Sequence, residues 1–96
     1  MKAESILTTI KSLKDQIKRN YKAEIKGIFG SYVRNEQTSH SDIDILAEFQ
    51  QDADLFDFVG LSQFLEERLS CKVDVVPIES LREEVKSYVL REALYI

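Results

Sequence analysis

Three aspartates stand apart from the rest of this sequence by their neighbours and spacing. Asp42 and Asp44 lie one residue apart in SDIDIL, and Asp74 lies in KVDVVP. In an extended strand side chains alternate between faces, so Asp42 and Asp44 project together while Ile43 and Ile45 project the other way. Their Cα atoms are then about 7 Å apart, and their carboxylates can converge on one divalent ion. Hard oxygen donors suit Mg²⁺, which keeps several waters and binds through one or two carboxylates plus substrate phosphates. A bare pair of this kind also occurs as a loop cap beside an exposed neighbour. Asp74 changes the balance. It interrupts an apolar strand between Val73 and Val75, and a carboxylate in that setting needs a partner. If its strand lies beside that of Asp42 and Asp44, three carboxylates share a face and repel one another unless a cation joins them. A structural salt bridge is the other reading of Asp74.

A second group precedes the acids. Gly30-Ser31 follows the apolar run Ile25 to Phe29. Glycine lets the backbone bend sharply there. Ser31 then offers a backbone N–H and a hydroxyl at the start of a possible helical turn, a natural place for an anion. Arg34, three residues on, shares a face with Ser31 in such a turn. Gly, Ser and Arg together suit a triphosphate tail, although Gly-Ser alone is often only a loop. His40 reads as a solvated loop histidine and Cys71 as a small packing residue.

These residues need elements to position them. Ile6, Leu7, Ile10, Leu13 and Ile17 recur at helical spacing, which predicts an amphipathic helix over 3–20. Ile25 to Phe29 reads as a strand, Glu36 to Ser41 as polar loop and Asp42 to Phe49 as a second strand. Leu55 to Leu69 carries a helical pattern. Lys72 to Val76 reads as a strand stopped by Pro77. Ser80 with Glu83 three residues on forms a capping-box pattern, predicting a last helix over about 81–93. Phe49, Phe56, Phe58 and Phe64 read as core or partner surface. The order is αββαβα: three strands with helices over one face, a small α/β sandwich.

Size and composition agree with one domain over residues 1–96. No run of about 18 apolar residues exists and the start carries no cleavage-site pattern, so neither a membrane span nor a signal peptide is expected. A lone cysteine excludes an intramolecular disulfide. The cytoplasm is the expected compartment. The net charge of −4 is unevenly spread. Residues 1–35 carry eight basic and three acidic side chains, and residues 36–96 carry five and fourteen. The basic part reads as a solvated helix face or as a preference for a phosphorylated ligand. Long nucleic acid more often meets a protein that is basic overall.

The combination of Gly30-Ser31, Arg34, Ser41-Asp42-x-Asp44 and a later Asp74 resembles the minimal nucleotidyltransferases of the polymerase-beta-like superfamily. The resemblance covers nearly the whole chain, including the leading helix and the closing LREALYI. It implies the polymerase-beta-like fold, with a small mixed sheet covered by helices. It implies that Gly30, Ser31, Arg34 and Ser41 serve nucleotide binding, with ATP the usual substrate. It implies that Asp42, Asp44 and Asp74 are the catalytic acids and ligate two Mg²⁺ ions. Arg34 is expected to orient the turn or touch phosphate. Two positions depart from the family pattern: Asn35 stands where glycine is frequent, and Tyr32 where a small or basic residue is common.

Minimal nucleotidyltransferases of this type often pair with an all-helical HEPN RNase, the toxin of a toxin–antitoxin pair. The resemblance thus implies a protein adenylyltransferase antitoxin that transfers AMP to a tyrosine hydroxyl of its HEPN partner. The chain offers little surface for enclosing an acceptor, in keeping with an acceptor delivered by a partner protein. Two other readings stay open: inhibition of the toxin by binding alone, and nucleotidyl transfer to a small molecule or an RNA end.

Overall fold

The computed structural model describes residues 2–96. Its elements are α1 (Ala3–Tyr21), β1 (Ala23–Phe29), β2 (Ile43–Phe49), α2 (Leu55–Leu69), β3 (Val73–Pro77), a 3₁₀ turn (Ile78–Ser80), α3 (Glu83–Glu92) and β4 (Leu94–Tyr95). The strands form one mixed sheet in the order β3-β2-β1-β4. β1 runs antiparallel to β2 and β4, while β2 and β3 are parallel.

The periodic apolar residues do what their spacing requires. Ile6, Ile10 and Ile17 of α1 are fully buried, as are Leu61 and Leu65 of α2. They meet Ile43, Ile45 and Ala47, the inward-facing residues of β2. On β1 the inward set changes parity, from Ala23 and Ile25 to Ile28. A shift in the β1–β2 register between Ile25 and Gly27 accounts for this, because one extra residue reverses the alternation. α1 ends with Lys22 in the left-handed region, φ 55°, its N–H donating to the Lys18 carbonyl.

Two expectations are corrected. The sheet has four strands, not three, because the last residues leave α3 and pair with β1. Gly27 admits this strand: a Cβ there would overlap the Leu94 carbonyl oxygen. The Ile96 N–H then donates to the Lys26 carbonyl at 3.0 Å. The Ser80–Glu83 capping box does not form. The Ser80 hydroxyl donates to the Pro77 carbonyl at 2.8 Å, closing the 3₁₀ turn. Leu81 and Arg82 stay extended, so α3 starts at Glu83 without a side-chain cap. The capping box of this chain is at α2, where Asp54 accepts from the Asp57 N–H and Asp57 accepts from the Asp54 N–H, both at 3.0 Å.

Candidate active site

The acids are positioned by strand register. In the parallel β2–β3 pair Asp44 lies level with Asp74, and in the antiparallel β1–β2 pair it lies opposite Phe29. Parallel neighbours in register share a face about 4.8 Å apart. Asp44 is thus at the centre, with Asp74 on one flank and the β1 end leading into Gly30 on the other. Asp42 lies just before β2. The Ile43 N–H donates to the Lys72 carbonyl at 2.9 Å, which ties this start of β2 to the approach of β3.

Burial separates the three. Asp42 and Asp74 are exposed and Asp44 is half-buried. The Asp44 carboxyl is pushed up to about 6, first by burial, then by the charges of Asp74 and Asp42, with Arg34 opposing. Among the described residues no three His, Cys, Asp or Glu side chains are already drawn together as a ready-made metal cage. An open set of hard oxygens under mutual repulsion fits a cation that keeps waters and shares phosphate ligands, as Mg²⁺ does.

The turn after β1 is held against these acids. Gly30 has φ 83°, in the region that favours glycine, and a Cβ there would overlap the Asp44 carboxylate. The Gly30 carbonyl accepts from the N–H groups of Val33 and Arg34 at 3.0 and 3.2 Å, so one helical turn follows, as expected. The turn ends at Asn35 with φ 59°. That explains the departure at this position: the site needs a left-handed residue, and asparagine tolerates what glycine usually supplies.

Other ties were not legible in the motif. Tyr32 is 8% exposed, and its hydroxyl lies 3.5 Å from the Cys71 thiol. That hydrogen bond, then burial, pushes the phenol above its ordinary value. The contact joins the Gly-Ser turn to the connection before Asp74, so Cys71 does more than pack. Arg34 pairs with Glu36 at 2.7 Å and with Glu92 at 2.6 Å. Glu92 also accepts from the Gly30 N–H at 3.4 Å. Nothing local marks Glu92 in the sequence; only the return of α3 brings it here. Ser41 closes the loop before Asp42, its hydroxyl accepting from the Thr38 N–H at 2.9 Å. His40 is exposed, as expected.

An open cleft of about 360 Å³ adjoins Asp42, between Ser39, His40 and Ser41 on one side and Cys71 and Lys72 on the other. A somewhat larger cleft, about 430 Å³, lies at the other end of the β1–β2 pair, among Lys18, Glu24, Glu48 and Glu79. It contains none of Gly30, Ser31, Arg34, Asp42, Asp44 or Asp74, so size is a poor guide to the chemistry here.

A half-buried carboxylate thus stands between a second acid and a glycine turn, the grouping that the sequence resemblance implies. The nucleotidyltransferase domain profile matches residues 10–96, and the chain belongs to that family. Among its relatives, the protein adenylyltransferase MntA of Thermococcus cleftensis is 39% identical over 93 residues, covering 97% of this chain and 91% of that protein. A solved structure described as a minimal nucleotidyltransferase superposes with a TM-score of 0.83 at 29% identity, covering 100% of this chain and 97% of that one. A chain of the toxin–antitoxin pair MntA–HepT superposes with a TM-score of 0.62 at 26% identity, covering 94% of this chain and 67% of that one.

Proposed function

We propose that this protein is an antitoxin that transfers AMP from ATP to a tyrosine hydroxyl of a HEPN-family RNase and thereby silences it. The observation that carries the reading is the alignment of Asp44 with Asp74 across β2 and β3, beside the Gly30 turn. Family membership and the likeness to an adenylyltransferase and to a chain of a toxin–antitoxin pair support the same reading.

In this reading the Gly30-Ser31 turn takes the triphosphate through the Ser31 N–H and hydroxyl. Arg34 orients that turn, and Ser41 orders the loop that delivers Asp42. Asp42, Asp44 and Asp74 would hold divalent cations, two Mg²⁺ ions, which when bound offset phosphate charge and polarise the α-phosphoryl group. The acceptor phenol oxygen forms a bond to the α-phosphorus as the bond from that phosphorus to the bridging oxygen breaks. Pyrophosphate leaves with that oxygen. In this reading Asp74, exposed beside Asp44, takes the phenolic proton. The cytoplasm, which holds ATP, is the compartment this reading implies. No helix among the described residues is long and apolar enough to cross a membrane.

The test is whether silencing outlasts contact. The HEPN RNase of the same organism is incubated with this protein, ATP and Mg²⁺, separated from it under denaturing conditions, refolded and assayed. Lasting loss of RNase activity that requires ATP supports transfer. Full recovery of activity means that binding alone inhibits, and the proposal is then wrong.

A further inference from the structure

Glu92 is the last residue of α3, and its charged side chain is only 13% exposed. A carboxylate that withdrawn from water needs partners, and Glu92 divides its two oxygens between two of them. Oε1 accepts from Arg34 Nη1 at 2.6 Å and Oε2 from the Gly30 N–H at 3.4 Å. Both partners belong to the turn assigned above to the nucleotide. Arg34 is fixed from its other side by Glu36, whose Oε1 accepts from Arg34 Nε at 2.7 Å. Glu92 therefore bridges the C-terminal helix and the Gly30 turn at the point where Gly30 lies against the Asp44 carboxylate. A shift of Gly30 changes the separation between the turn's donors and the acids.

We propose that Glu92 is a positioning residue for nucleotide binding, acting through Arg34 and Gly30 to set the turn against Asp44. The inference rests on the reading that this turn binds the triphosphate. Charge-assisted hydrogen bonds are stronger than neutral ones, and Glu92→Gln keeps the size of the side chain while removing that charge. Both Glu92 oxygens are tied to the turn, so its assigned role is to position the turn.

The experiment measures equilibrium binding of ATP with Mg²⁺ by the full chain, together with KM for ATP and kcat in AMP transfer. Glu92→Gln is expected to weaken ATP binding about tenfold, the range of one charge-assisted hydrogen bond. KM rises in step and kcat stays near wild type, while the thermal midpoint of the nucleotide-free protein falls slightly because the Arg34 tie is weakened. A role in stability alone would lower the midpoint and leave KM and ATP binding by the folded protein unmoved. Arg34→Met breaks the same tie from the other side, so the proposal stays testable if Glu92→Gln does not fold. The Arg34→Met/Glu92→Gln double variant is expected to lose less than the two single losses combined, since coupled residues are not additive. Unchanged ATP binding by a folded Glu92→Gln protein overturns the proposal. So does tighter binding, which would mean that the carboxylate competes with phosphate. A wild-type chain that binds no ATP removes the nucleotide reading itself, a different result from a bound wild type with an indifferent variant.

Discussion

The two faces of β2 divide stability from chemistry. Ile43, Ile45 and Ala47 point into the core with α1 and α2 and are fully buried. Asp44, between Ile43 and Ile45, points the other way, half-buried among like charges. That face contributes most of the strand's hydrophobic burial, although Leu46 on the opposite face is also fully buried. The other holds a carboxyl at about 6 and so opposes folding when it ionises. Alternation along a single strand lets seven residues, Ile43–Phe49, serve both ends. Sites that work by concentrated charge are commonly destabilising for this reason.

Substitutions on the two faces should therefore separate activity from stability. The largest effect is expected for Asp42→Ala combined with Asp44→Ala. AMP transfer should fall by about 10³-fold or more, since cation-assisted charge stabilisation contributes several kcal/mol. The thermal midpoint should hold or rise, because a repelling charge is removed. Ile45→Ala should do the converse. It is expected to cost about 2–5 kcal/mol in urea unfolding, the range for truncating a buried isoleucine, while the folded fraction keeps its transfer rate.

A pH series sharpens the same contrast. The Asp44 carboxyl sits at about 6 in the folded protein against 3.8 ordinarily. Between those values the folded state holds a proton that the unfolded chain has released. The contribution of Asp44 to stability is then greatest below about pH 4 and declines as pH rises to about 6. In chelator-treated protein Asp44→Asn should flatten that decline. Protonation also competes with a cation, so Mg²⁺ affinity measured by titration calorimetry should drop below about pH 6. The smallest effect lies far from the acids: Asp54→Ala removes the α2 cap and should cost about 1 kcal/mol with transfer per folded molecule unchanged.

What was legible in the sequence was what neighbours in sequence decide. Ile6, Ile10 and Ile17 mark α1 by period alone, and the three acids with Gly30-Ser31 mark a candidate site because each lies in a short recognisable context. The direction of β3, which brings Asp74 level with Asp44, is a long-range property that no local pattern states. The same holds for β4, admitted by the missing Cβ of Gly27, and for Glu92 and the Tyr32–Cys71 contact, which reach across the chain. Ser80 misled for a different reason. Its hydroxyl found a partner in the Pro77 carbonyl, and a local hydrogen bond of that kind competes with the capping geometry. Asp54 and Asp57 had the same spacing and did form the box.

The most direct measurement is the intact mass of the HEPN-family partner after incubation with this protein, ATP and Mg²⁺. The partner is expected to gain one or more AMP units with the wild-type chain and none with Asp42→Ala/Asp44→Ala. An unchanged mass with the RNase still silenced would contradict the account and leave contact alone as the mechanism.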